Sequence, residues 1–234
     1  MSKDVIVLKV GGSIFYDQLL NVNFDFLRRL KIWYYENKKK YSRIVFVTGG
    51  GGLSRNIQKK VADNIGGDKY LHDIAMSLTQ TNATIFASFL EDESIFSPKK
   101  LGDAYEFLQN GEGNMVLGGL KVGWSTDMVA AVFADVLDCD RVHKISNIEN
   151  IYSKDPKEHF DAKPFLDMTW DQYFKLFKIV KGEQHMPNGS LPVDALCSQY
   201  SAKKGLSFLV GGGRNLDLDI TIKEIIEKGT FIHP

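Results

Sequence analysis

The feature that most constrains this chain is a recurring unit: a short apolar run, a cluster of glycines, then a helical pattern. Val5-Ile6-Val7-Leu8-Lys9-Val10 runs into Gly11-Gly12, and Arg43-Ile44-Val45-Phe46-Val47-Thr48 into Gly49-Gly50-Gly51-Gly52. Met115-Val116-Leu117 runs into Gly118-Gly119, and Leu206 to Val210 into Gly211-Gly212-Gly213. Nearly continuous short apolar runs are what strands buried on both faces look like. Strand and helix in alternation predict an α/β fold with a largely parallel sheet. Arg141-Val142-His143-Lys144-Ile145 adds another strand, and Thr230-Phe231-Ile232 reads as a last edge strand.

Helices are predicted between these strands. Asn23 is positioned to cap one that carries Phe24, Leu27, Leu30 and Tyr34 on a single face, and Lys38-Lys39-Lys40 closes it, where positive charge suits the C-terminal dipole. Others are expected from near Leu53, from about Lys69 to Leu90, and from a Thr126 cap to about Leu137 with Asp127 in the first turn. Thr169 caps a short aromatic helix with Trp170, Tyr173, Phe174 and Phe177; Pro192 fits the first turn of a helix to about Lys204, and Ile220 to Lys228 closes the set.

With 234 residues, 44% apolar and 25% charged, the chain is an ordinary globular protein, large enough to bury a core. Lys plus Arg equals Asp plus Glu at 29 each, so it lacks the electrostatic footprint of a nucleic-acid or membrane-surface binder. No apolar stretch reaches the roughly 18 residues a membrane span needs, and the first apolar run is too short for a signal-peptide core. Cys139 and Cys197 alone imply no disulfide framework. A cytoplasmic protein is expected, one continuous domain of two lobes, 1–137 and 138–234.

In a parallel sheet, ligands bind at the carboxyl ends of the strands. Glycine there lets backbone N–H groups approach an anion with no Cβ in the way, and a helix N-terminus behind adds its dipole. Turns at residues 11, 49 and 118 on one sheet edge would form a long anion-binding rim, suited to a polyphosphate chain or two phosphorylated ligands. The same turns also serve as tight strand–helix connections without chemistry. Known phosphate motifs are absent: there is no P-loop, the dinucleotide fingerprint meets Ser54 or Arg55 where its third glycine belongs, and neither kinase-loop nor GxSxG signatures occur. His72, His143, His159, His185 and His233 show no metal-ligand spacing, so no protein-held metal is expected.

Lys9 lies inside a buried strand, where its ammonium costs several kcal/mol of desolvation unless it meets an anion or snorkels to the sheet end. Asp194, just after Pro192, suits a helix N-terminus. Ser125-Thr126-Asp127 is a third polar cluster at a helix start; capping there contributes about 1 kcal/mol and is compatible with ligand contact.

Taken in order, Leu8-Lys9-Val10-Gly11-Gly12-Ser13, Val47 to Arg55, Gly118-Gly119 through Gly123-Trp124-Ser125-Thr126-Asp127, Ile145 to Pro156, Pro192-Val193-Asp194 and the closing Gly229-Thr230-Phe231-Ile232 resemble the amino-acid-kinase superfamily, and within it the uridylate kinases, most of all those of archaeal type. The resemblance covers nearly the whole chain. It implies a three-layer αβα sandwich around a mainly parallel, roughly eight-stranded sheet, an N-terminal lobe (1–137) for the phosphoryl acceptor and a C-terminal lobe (138–234) for Mg-ATP. The implied reaction is transfer from ATP to a nucleoside monophosphate, UMP giving UDP, with Mg²⁺ carried on the ATP. Lys9 would bridge the transferring phosphoryl group and Asp194 would organise the cations. Gly11, Gly12 and Gly51 would present amides to the ATP phosphates, with Arg55 near the transfer point. Ser146, Asn147, Tyr152 and Asp155 would surround the adenosine. Gly50 would face the acceptor, Asp73 would hold its ribose hydroxyls, and Leu120, Lys121, Val122, Gly123, Trp124, Ser125, Thr126 and Asp127 would line it. Such enzymes are usually homo-oligomers, hexamers or dimers.

The chain departs from the family at Glu149-Asn150-Ile151-Tyr152, where Asp-Gly-Val-Tyr is usual; Asn150 suits a left-handed turn. Trp124 is bulky for the acceptor loop and could stack on a base. Lys181 to Leu191 is long and polar, as a mobile lid would be. Two other readings stand beside UMP kinase. One is a sister kinase acting on another small phosphate or carboxylate, such as isopentenyl phosphate, although Gly49 to Arg55 lacks the histidine such enzymes carry. The other is a non-catalytic nucleotide- or oxyanion-binding protein resembling the molybdenum-storage proteins.

Overall fold

In the computed structural model, which describes residues 5–17, 19–65, 70–156, 158–180, 182, 191–212 and 222–234, each apolar run is a strand and the glycine clusters at residues 11, 49 and 118 follow their strands at the carboxyl ends, whereas Gly211 and Gly212 continue their strand. In chain order the elements are β1 (Val5–Val10), α1 (Gly12–Phe15), α2 (Phe24–Asn37), β2 (Arg43–Thr48), α3 (Gly51–Ile65), α4 (Leu71–Leu90), α5 (Leu101–Asn110), β3 (Met115–Leu117) and α6 (Thr126–Val136). There follow β4 (Arg141–Ser146), β5 (Ile151–Tyr152), β6 (Pro164–Phe165), β7 (Asp167–Thr169), α7 (Trp170–Phe177), α8 (Ala195–Lys204), β8 (Ser207–Gly212), α9 (Ile222–Glu227) and β9 (Thr230–His233).

Among the described residues the main sheet has seven strands in the order β3-β2-β1-β4-β8-β9-β7, in keeping with the mainly parallel sheet the resemblance implied. Its neighbours pair in parallel except β8 with β9. β5 and β6 form a separate antiparallel ribbon. Thr230 to Ile232 is not an edge: β9 lies between β8 and β7, and the three-residue β7 takes the edge. With one buried side chain, Met168, β7 has too little apolar pattern to be read as a strand.

Strand alternation sends Ile6, Leu8, Val10, Ile44 and Phe46 to one face, where α2 and α4 cover them with Leu27, Leu30, Tyr34, Ala83 and Phe86. Val7, Val45, Val47, Val142 and Phe208 face the other way, toward α6 and the aromatic α7. Two apolar cores on the two faces of one sheet make the three layers. α6 is buried at every position from Asp127 to Ala134, as a helix apolar on all sides must be.

Several boundaries differ from the sequence reading for local reasons. α3 starts at Gly51, whose positive φ of 66° turns the chain directly into the helix. Ser125, not Thr126, caps α6, its hydroxyl accepting from Met128 N at 2.9 Å. Asp194 itself caps α8, accepting from Cys197 N at 3.0 Å, so Pro192 lies before the helix. Asn23 and Thr169 cap as expected, Thr169 in a capping box with Gln172. Phe24 faces outward, half exposed. α5 had no reading from sequence; only Ala104 of it is fully buried. Asn150 is not left-handed. The starts expected at Lys69 and Ile220, and nearly all of the 181–191 segment, fall outside the described residues.

Candidate active site

Parallel registry places Lys9 of β1 directly beside Lys144 of β4. Both side chains leave the sheet on the α6 face, and both residues are buried, 7% and 8% exposed. Two neighbouring buried ammonium groups repel, and one carboxylate answers them. Asp127, in the first turn of α6, accepts a hydrogen bond from Lys144 Nζ on Oδ2, and Lys9 Nζ stands 3.0 Å from its Oδ1. That second contact is an ion pair without hydrogen-bond alignment, so Oδ1 has no hydrogen bond. Lys144 Nζ also donates to the Pro192 carbonyl.

Charge balance in this cluster is tight. Burial pushes the Asp127 carboxyl up, but Lys144 and Lys9 outweigh it and hold the group down at about 2. Burial lowers the Lys9 ammonium, Asp127 opposes the fall, and Lys144 adds to it. Asp194 is the fourth charge. Ser125 Oγ donates to its Oδ2, so the two helix caps of α6 and α8 are joined side chain to side chain. Burial, then repulsion from Asp127, raises the Asp194 carboxyl. Tyr173 of α7 holds the residue before it, its hydroxyl donating to Val193 O at 2.6 Å and accepting from Val193 N at 2.8 Å.

The glycine turns close over this cluster. A Cβ on Gly49 would lie 3.5 Å from Lys9 Nζ. Gly11 N donates to Ile145 O at 2.8 Å and Gly49 N to Val10 O at 2.9 Å, so the first two turns are stitched to neighbouring strands. Gly12 and Gly51 touch backbone to backbone: a Cβ on Gly12 would lie 2.0 Å from Gly51 N. Gly12→Ala therefore displaces the second turn. A loss of several kcal/mol in denaturant unfolding is expected. The control Gly102→Ala, in α5 with nothing within 4 Å of the added carbon, is expected to change stability by less than about 1 kcal/mol.

Of the residues singled out from sequence, Lys9, Gly11, Gly12, Gly50, Gly51, Ser125, Asp127 and Asp194 lie together at this sheet end. Asp127, expected to line the acceptor, is instead turned inward between two lysines. Ser146 ends β4 and Asn147 follows it at the same sheet end, and Tyr152 lies in the β5–β6 ribbon with Asp155 exposed beyond it. Leu120 is buried, Val122 exposed, and Gly123 takes φ 83°. Trp124 packs partly against the core with Lys121 Nζ 4.7 Å from its ring centre. Arg55 and Asp73 are exposed on α3 and α4, outside the charged cluster. Lys144 was missed, although it carries the signal that singled out Lys9: a lysine next to last in the apolar run read from sequence, Val5–Val10 for one and Arg141–Ile145 for the other.

Among the described residues no three His, Cys, Asp or Glu side chains group as a metal cage. Mg²⁺ commonly takes one or two carboxylates and completes its shell with substrate phosphates and water. The Asp194 carboxyl, raised by burial and by Asp127, fits a divalent ion arriving on a phosphate chain, whereas Asp127 Oδ1 is already paired with Lys9.

Comparison with known proteins identifies the family and the fold. The amino acid kinase family model matches residues 4–210. A uridylate kinase of Methanococcoides burtonii is 30% identical over 228 residues, covering 95% of this chain and 93% of the relative. One of Methanococcus aeolicus is 26% identical over 230 residues, covering 98% and 99%. Among solved structures, uridylate kinase from Archaeoglobus fulgidus superposes with a TM-score of 0.71 at 21% identity, covering 98% and 99% of the two chains. UMP kinase from Ureaplasma parvum reaches 0.75 at 18%, covering both chains fully; at such identities the likeness speaks for the fold. The family match, spanning both sides of the sheet and all three glycine turns, makes this chain a member of the amino acid kinase family.

Proposed function

We propose that this protein transfers the γ-phosphoryl group of ATP to a nucleoside monophosphate, UMP giving UDP. The observation that carries the reading is the buried Lys9–Asp127–Lys144 cluster beneath the Gly11-Gly12 and Gly49–Gly51 turns, with Asp194 beside it. The uridylate kinase relatives, matched over nearly their full length, support UMP as the acceptor.

Phosphoryl transfer passes through a loose transition state with charge spread over three equatorial oxygens. The work of the protein is to align two anions and offset their repulsion. Lys9 supplies a cation whose charge Asp127 helps maintain, and the amides of Gly12, Gly50 and Gly51 supply fixed donors that need no reorganisation during the reaction; the Gly11 amide, expected to meet the ATP phosphates, already donates to Ile145 O. The bond from the γ-phosphorus to the β,γ-bridging oxygen breaks as the UMP phosphate oxygen bonds to that phosphorus; ADP leaves with the bridging oxygen. No side-chain base is needed, because a phosphate-monoester acceptor is already ionised at neutral pH. Asp194 would hold Mg²⁺, and that ion would supply neutralising charge to the phosphate chain.

The test is ADP release by pure protein with Mg-ATP and, separately, UMP, CMP, AMP, isopentenyl phosphate and acetylglutamate. UMP-selective turnover is expected. Turnover only with the isoprenoid phosphate, or ATP binding without turnover on any acceptor, overturns the proposal.

A further inference from the structure

On the face of α4 that packs against the sheet, Asn82 is 1% exposed and makes two bonds that join separate parts of the site. Its Nδ2 donates to the Gly49 carbonyl at 2.8 Å. Its Oδ1 accepts from the hydroxyl of Tyr16, itself 8% exposed. Tyr16 directly follows α1, the short helix that opens on Gly12. One side-chain amide thus reaches the second glycine turn with one arm and the element leaving the first with the other. The orientation of the amide follows from its partners: Gly49 O can only accept, so it must face the NH₂ group, and the oxygen is left for the tyrosine hydroxyl.

This relay does not touch the charged cluster. It adds a second tie to the backbone contact of Gly12 with Gly51, where neither residue has a side chain to adjust. One turn earlier on the same face, Thr79 Oγ1 accepts from Gly119 N at 2.7 Å, and Thr79 O accepts from Thr48 Oγ1 at 3.1 Å. α4 therefore bonds directly to the second and third glycine turns, and to the first only through Tyr16 at the far end of α1. A buried amide and phenol contribute little net stability over apolar groups of the same shape, so the gain from keeping them is geometric.

We propose that Asn82, acting with Tyr16, is a positioning residue that fixes the spacing between the first and second glycine turns, and with it the separation of donor and acceptor phosphates. The inference rests on the kinase reading above. In a reaction that depends on bringing two anions to contact distance, displacement of about an ångström costs up to about a hundredfold in rate.

A ligand joining both subsites reads that spacing without turnover. Adenosine and uridine linked through five phosphates serve as the probe, with ATP and UMP titrated separately by calorimetry, on the parent protein, Tyr16→Phe and Asn82→Leu. Both variants are expected to bind ATP and UMP within about threefold of the parent. They should lose about tenfold or more in affinity for the bridging ligand, and kcat should fall similarly with KM changed little. Tyr16→Phe removes one hydroxyl and carries the test alone if Asn82→Leu does not fold. Variants that melt lower but bind the bridging ligand as tightly as the parent overturn the inference and leave the kinase reading intact. A parent that binds the bridging ligand no better than ATP or UMP overturns the kinase reading, and this inference with it.

Discussion

Lys9→Met is expected to lower kcat by at least about a hundredfold while the protein stays folded. Removing one well-aimed donor to a developing oxyanion costs on the order of 3 kcal/mol, which is that factor. Folding survives because of how the cluster is wired. Asp127 keeps its bond to Lys144, and Met fills most of the volume of the lysine stem. The sign of the stability change follows from titration. The Lys9 ammonium is held below its ordinary value of 10.5 in the fold. The folded state therefore binds this proton less readily than the unfolded chain, and a charged Lys9 opposes folding at neutral pH, an effect relieved only as pH rises toward 10.5. A melting temperature for Lys9→Met at or slightly above that of the parent at pH 7, together with the loss in kcat, is the expected pair of results. Retention of more than a tenth of the parental kcat would remove Lys9 from the transfer step. Lys9→Arg is expected to fail as well, because a planar guanidinium does not fit the space between Asp127 and the Gly49 turn as a compact ammonium does.

Much of this architecture is written in the sequence as local pattern. The apolar runs ending in glycine mark β1, β2, β3 and β8, because buried parallel strands carry no polar alternation and their turns need residues without a Cβ. Short elements with little to bury, such as β7 and α5, leave no such mark. Lys9 stands out because a cation in an apolar run needs an explanation. Lys144 is likewise next to last in the run Arg141–Ile145, but His143 and Arg141 beside it make β4 read as a half-polar strand, and the lysine disappears among them. What single-sequence reading could not supply was registry. Only the pairing of β1 with β4 puts the two lysines side by side, and only then does one carboxylate at the start of α6 become necessary. Asp127 looks from sequence like one of several polar residues at a helix start. Asn82, in the middle of a long helix, looks like an ordinary surface amide until α4 is laid on the sheet.

The largest effect on stability is expected at Asp127. Asp127→Ala leaves two buried ammonium groups facing each other without an anion, and breaking a buried ionic cluster from one side costs about 3–5 kcal/mol. For a chain of this size that is roughly 10 °C in melting temperature. Asp127→Asn keeps the shape and should cost nearly as much, because an amide does not offset two positive charges. The deficit has a pH signature. Asp127 titrates at about 2 in the fold, below its unfolded value near 4. Its contribution is therefore fully present above about pH 4 and is lost as pH falls through 2. At the alkaline end the variant's deficit should narrow, because Lys9, deprived of its counter-charge, sheds its proton more readily than in the parent and so relieves the repulsion. Thermal melts of parent and Asp127→Asn between pH 5 and 10 measure this directly, and a deficit that does not narrow above pH 9 would show that the lysines are not the source of the loss. The double variant Lys9→Met with Asp127→Asn separates charge from packing. With one cation gone, the second substitution should cost measurably less than it does in the parent. Simple additivity of the two would mean that the carboxylate is not there to hold the lysine pair together. If the coupling is found, the same carboxylate that keeps a charged lysine beneath the glycine turns also keeps the sheet stable around it, and Lys9 cannot remain a buried cation without it.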